Sequence, residues 1–258
     1  SGASARSINA GANCDDAGAP SFPDCTPKLE PIDRRVRTDL PVPVYQLLTQ
    51  TDIEVLFGTF GRQEDTPTFR YYEVAGGAHL ITHKDIELVP AGVVGPDPVL
   101  LEELCLNPIN TTADGPVFVS YVFNALWERM HEQVIDGESP PTGMLMDAEG
   151  RVALKDEFGN GLGGVRLPSL DVPTNVYTSG NQADPNLPPF LQQIGGLACF
   201  LAGSVEPLDG ATLSMLYQNN GDYQSKVSQA VKLLKSQGLL LQSDAVKIKA
   251  LARERYID

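Results

Sequence analysis

The sequence lacks several things, and each absence narrows its function. No run approaches the ~18 uninterrupted apolar residues of a membrane-crossing helix. Basic residues are scarce: 19 Lys and Arg stand against 33 Asp and Glu, a net charge of −14. Such a surface argues against nucleic acid and against anionic membrane, because both are bound through an excess of Lys and Arg. There are three histidines and four cysteines, with no Cys-x-x-Cys and no Cys/His cluster at ligand spacing, so no metal and no cofactor is expected. No internal repeat and no low-complexity tract occurs. No Gly-x-Ser-x-Gly occurs either, and of all these absences it bears most directly on catalysis.

What is present is a chain of 258 residues, 42% of them hydrophobic, enough for a sizeable core. It starts "SGASARSINAGANCDD", with neither Met nor a signal-peptide pattern. This start reads as the inside of something longer, either processed or truncated. Cys14 and Cys25 flank a polar loop rich in Gly and Pro, and a disulfide across it would order it. Cys105 and Cys199 form a candidate second pair. The first bridge would imply an oxidising compartment, secreted or periplasmic; otherwise the expectation is cytoplasmic.

Residues 1–40 read as loop. "VPVYQLLTQTD" (42–52) and "FRYYEVAG" (69–76) are apolar runs suited to buried strands, with "DIEVLFG" as a short helix between them. Two such strands joined by a short crossover predict a parallel pair, residues 43–49 beside 69–75. Apolar residues Val119, Val122, Phe123, Leu126, Trp127 and Met130 recur at helical spacing and predict a helix over 116–135, with Pro116 near its start. Gly and Pro punctuate 137–207, which reads as loop and hairpins. Three helices are expected over 208–258, with Gly238 ending the middle one and Ser243 capping the last.

The order is strand, Asp52, strand, His79. Functional groups of doubly wound sheets gather at the carboxyl ends of strands. An acid after one strand and a histidine after the next present two members of a Ser–acid–His triad in the α/β-hydrolase order. The chemistry requires the pair: a carboxylate fixes the imidazole tautomer, and Nε2 is left to take a proton from a serine. Ala75, Gly76, Gly77 and Ala78 are small enough to let the His79 loop pass close to a site. The bland alternatives are an Asp capping a helix and a His in a surface turn. His83 and His131 are weaker candidates. In "GNGLGGVRLP" (159–168) an anion cradle lacks the Gly-Lys-Ser/Thr of a phosphate loop, and the simpler reading is a turn with Arg166 in an ion pair. "NTT" (110–112) is an N-glycosylation sequon, without meaning in a bacterial protein.

The runs "GRQEDTPTFRYYEVAGGAHL", "NALWERMHEQVIDGESPP" and "DEFGNGLGGVRLPSLDVPTNVY" resemble, in this order, the C-terminal part of a bacterial α/β-hydrolase domain family classed with esterase-like enzymes. The resemblance spans about residues 1–255. It implies an α/β fold of few parallel strands with flanking helices and a helical tail, incomplete at its N-terminus. Within one such domain, 1–40 is loop, 41–136 the end of the sheet, 137–207 the loop and hairpin insertion and 208–258 the tail. It implies His79 as the base and Asp52 as the acid. An acid often stands in the family where this sequence has Gln50, so Glu54 is the reserve. The family's serine elbow has no counterpart. Ser4, in "GASAR", has too little chain before Asp52 for an elbow, a helix and a strand. The expectation is a serine hydrolase of a small-molecule ester whose nucleophile lies on an upstream segment or separate chain that completes the sheet. The competing expectation is a binding or assembly module without catalysis.

Overall fold

The computed structural model describes residue 36 and residues 41–80, 87–110 and 119–255. Strand β1 (Val44–Thr49) is succeeded at once by helix α1 (Gln50–Glu54), then a 3₁₀ turn (Gly58–Gly61) and strand β2 (Phe69–Val74). β1 and β2 are parallel, in register from Val44 beside Phe69 to Thr49 beside Val74. This is the expected pair. β2 is buried on both faces, with only Arg70 half-buried, as befits a parallel strand covered on both sides. The first strand ends at the expected residue. It stops at Thr49, because Thr49 caps α1 and the chain turns helical at Gln50.

The far edge of β2 is taken by two short segments. Glu73 N–H donates to Met144 O at 2.9 Å, and Val165 N–H donates to Glu73 O at 2.7 Å. Among the described residues, β1 pairs with no strand other than β2. The Glu73 side chain is fully buried, which would be costly for an unpaired carboxylate. Arg62 answers it with two hydrogen bonds, Nε to Oε1 at 2.8 Å and Nη2 to Oε2 at 2.6 Å. The same guanidinium donates to Met146 O at 2.7 Å, and Met146 N–H donates to Glu73 Oε2 at 2.6 Å.

After β2 the chain forms β3 (Glu87–Val89), β4 (Val99–Leu100), α2 (Leu101–Leu104), α3 (Val119–Asp136), β5 (Ala148–Glu149), β6 (Val152–Ala153), α4 (Pro168–Asp171), β7 (Asn175–Thr178), α5 (Pro189–Ala202), β8 (Ser204–Pro207), α6 (Gly210–Leu216), α7 (Asn220–Ser236) and α8 (Gln242–Glu254). β3–β4, β5–β6 and β7–β8 are antiparallel pairs. The main core joins Leu48, Phe69, Tyr71, Tyr72 and Val74 of the parallel pair to Val122 and Leu126 of α3 and to Val227, Val231 and Leu234 of α7. α3 buries only part of its expected stripe: Val119, Val122 and Leu126 are covered, whereas Phe123 and Trp127 are exposed and stack on each other.

α5 stands where the sequence reads as loop and hairpin. Its glycines and prolines mislead. Pro189 sits in the first turn, where no N–H is needed, and Gly195 lets α2 approach: a Cβ there would lie 3.3 Å from that of Leu104. Cys105, beyond α2, is bonded to Cys199 on α5 across 94 residues. The disulfide lies inside a second apolar cluster with Leu101, Leu104, Ile109, Leu191 and Ala202. In the tail, Gly238 comes after α7 with φ +75°, as expected. Ser243 does not cap α8. Buried Leu239 and Leu240 anchor the turn so that Leu241 takes the cap position, and its carbonyl accepts the first helical bond, from Ala245 N–H.

Candidate active site

Asp52 sits at the third position of α1, and its two oxygens have different partners. Oδ2 accepts from Thr49 twice, from the backbone N–H at 2.7 Å and from the hydroxyl at 2.9 Å. Asp52 N–H returns a bond to Thr49 Oγ1 at 3.3 Å, completing a capping box. Oδ1 is left to His79, whose Nδ1 lies 2.6 Å away. So Asp52 is both the helix-capping residue of the bland reading and the partner of the histidine.

His79 comes at the end of a loop that only small residues can form. Gly76 has φ +68°. A Cβ on Gly77 would meet Val119 Cγ2 at 2.9 Å and Thr49 Cβ at 3.2 Å. The loop is buried through Ala78, and the His79 side chain keeps 24% exposure. A carboxylate oxygen can only accept, so Nδ1 carries the proton and Nε2 of the neutral ring presents a lone pair. The hydrogen bond to Asp52 raises the pKa of His79 above its ordinary value, although partial burial works against it. Among the described residues no hydroxyl is hydrogen-bonded to this ring.

Glu54, the reserve acid, is engaged elsewhere: it accepts from Ala153 N–H at 3.2 Å and Gln50 Nε2 at 3.3 Å and lies 3.4 Å from Lys155 Nζ. His131 is exposed on α3, apart from the Asp52–His79 pair. Ser4, His83, Cys14 and Cys25 lie outside the described residues. Arg166 is an ion-pair residue, 2.8 Å from Asp171 and 3.0 Å from Asp156, and it also donates to the carbonyls of Gly161 and Leu170. That leaves no free guanidinium for an anion cradle. Asn110 of the sequon is buried at 3% exposure and donates to Gly76 O. Asn110 is not legible in the sequence as part of the site, and Gln50, which accepts from Gly76 N–H at 2.8 Å, stands out there only as the position of a family acid and not as a residue that holds the His79 loop.

Among the described residues no group of His, Cys, Asp and Glu could hold a metal, and no helix is long and apolar enough to cross a membrane. An acid and a histidine brought together beyond the ends of adjacent parallel strands are the arrangement of α/β hydrolases. The chain belongs to the alpha/beta hydrolase domain family, whose model matches residues 2–250. No curated protein and no solved structure matches it.

Proposed function

We propose that the chain supplies the acid and the base of a Ser–Asp–His triad in a carboxylic ester hydrolase. The observation that carries this reading is the 2.6 Å bond between Asp52 Oδ1 and His79 Nδ1. In the proposed reaction, Nε2 of His79 removes the proton of a serine hydroxyl as its oxygen attacks the ester carbonyl. The imidazolium then gives that proton to the leaving alkoxide, and an activated water releases the acid in a second round. Asp52 stabilises the imidazolium and holds the tautomer. The nucleophile comes from outside the described residues, on an upstream segment or second chain that pairs with the edge of β1 away from β2, where no described strand lies. The Cys105–Cys199 disulfide favours an oxidising compartment.

A second reading, a hydrolase-like module that binds or assembles without catalysis, is favoured by one observation: no described hydroxyl stands on His79. A serine-directed fluorophosphonate probe on the full-length protein, with p-nitrophenyl acetate hydrolysis alongside, separates the two. Labelling of a serine that His79→Ala abolishes supports the enzyme. Absence of both labelling and hydrolysis supports the module.

A further inference from the structure

The loop that carries His79 is gripped at one residue from both sides. Gly76 N–H donates to Oε1 of Gln50 at 2.8 Å, and Gly76 O accepts from Nδ2 of Asn110. Both side chains are buried, Gln50 completely and Asn110 at 3% exposure. The amide of Asn110 has only one orientation that suits a carbonyl, with its NH₂ inward. Its Oδ1 has no partner among the described residues, so the bond to Gly76 is the one its side chain makes there. The next carbonyl, Gly77 O, accepts from Thr51 N–H at 3.3 Å. Gly76 has φ +68°, and a Cβ on it would lie 3.0 Å from Leu170, so the backbone is confined by packing as well.

Gln50 and Asp52 belong to the same five-residue helix. One side chain of α1 therefore holds the loop of the base, and another meets the base itself. Asn110 comes from elsewhere, on a segment fixed to α5 and β8 through Asn110 N–H to Ala202 O at 3.3 Å and Val205 N–H to Pro108 O at 3.0 Å. A residue held at both its donor and its acceptor cannot rotate about the chain axis, and His79 lies three residues on. A productive constellation tolerates only about 0.5 Å and 10–20° of error.

We propose that Gln50 and Asn110 are positioning residues for His79: they fix the distance and angle of its ring to Asp52 and act on hydrolysis only through it. This rests on the proposed role of His79. It also predicts a property of the ring itself, which can be measured without any substrate. If the grip loosens, the bond to Asp52 weakens, and the pKa that this bond raises falls back.

The test is the imidazole titration of His79 by NMR, assigned with His79→Gln, in the wild type, Gln50→Met and Asn110→Asp. The first variant keeps length and removes the acceptor. The second keeps shape and turns an acceptor toward the Gly76 carbonyl. Asn110→Ala carries the test if Asn110→Asp does not fold. Asp244→Asn, equally buried on α8, is the control for general destabilisation. The expected result is a His79 pKa that falls toward ~6.5 in the clamp variants and stays at the wild-type value in the control. Where the wild type hydrolyses p-nitrophenyl acetate, kcat falls by up to about 10²-fold with KM unchanged. A His79 titration unmoved in the folded clamp variants overturns the proposal, whatever the activity. A moved titration in a full-length protein whose wild type hydrolyses no ester and labels with no fluorophosphonate supports the clamp and overturns the esterase reading instead.

Discussion

Thr49 donates to the Oδ2 atom of Asp52 twice, at 2.7 and 2.9 Å, and thereby leaves Oδ1 as the only oxygen that faces His79. The carboxylate cannot swing away from the ring without breaking the cap of α1. Thr49→Val removes the hydroxyl and keeps the backbone N–H. It should cost about 1 kcal/mol of stability, the ordinary value of a helix cap, and lower activity far less than loss of Asp52. Chemical denaturation and ester hydrolysis of the same preparation check both halves.

Asp52→Asn places an amide against His79 Nδ1. An NH₂ facing that nitrogen favours the tautomer with its proton on Nε2, which cannot act as base. Turnover should fall by as much as ~10⁴-fold while the protein stays folded. His79→Ala should remove most turnover at a stability cost of at most about 1–2 kcal/mol, since the partly exposed ring buries little apolar surface. Rates with p-nitrophenyl acetate and thermal melts of the two variants are the measurements. Wild-type rates in His79→Ala would make this residue a turn histidine.

The raised pKa of His79 sets two pH dependences of opposite sign. Its folded value lies above its unfolded value. The stability it contributes is therefore fully present below about pH 6.5 and is lost as pH rises through the raised value. Hydrolysis needs the neutral ring, so kcat/KM should climb through that same raised value. The acid limb of the rate profile should thus lie above ~6.5, and denaturant midpoints of wild type and His79→Gln should converge as pH rises across it.

Arg62 and Glu73 form a pair in which removing one partner is worse than removing both. Arg62→Met leaves a fully buried carboxylate without its cation and should cost about 3–5 kcal/mol. Adding Glu73→Gln in the same chain should recover a large part, because the neutral amide can still accept from Met146 N–H. Equal midpoints for the single and double variants in urea would contradict this.

Reduction of Cys105–Cys199 should lower stability by about 2–4 kcal/mol, since the bond closes a loop of 94 residues. Urea unfolding with and without dithiothreitol, beside the Cys105→Ser/Cys199→Ser variant, reads the difference. The reduced protein and the double variant should agree with each other.

The parallel pair and the Asp52–His79 contact were legible because both arise from short-range pattern: apolar runs of strand length, each closed by polar or small residues. α5 was not, because Gly195, Gly196 and its prolines carry the same local signal as a loop, and only tertiary packing, against Ala183 and against Leu104 of α2, makes the missing side chain at Gly195 a requirement. Gln50 and Asn110 were hidden for a related reason. Their bonds go to the backbone of Gly76, which any residue offers, so no residue type marks the partners, whereas an acid and a histidine are recognisable as a pair even 27 positions apart. The double duty of Asp52 lay between these cases. Its capping and its contact with His79 look like rival readings along the chain, and only the split between two oxygens reconciles them.

That split bears on how such a chain would change over generations. Asp52 answers to two separate pressures, because the fold needs its Oδ2 whether or not any ester is cleaved. His79 has no comparable duty in the core. In a descendant that gave up catalysis, the acid would persist on stability alone while the histidine was free to drift. An intact aspartate at this position therefore says little about whether a relative is active, and the residue facing it across Oδ1 is the one to inspect.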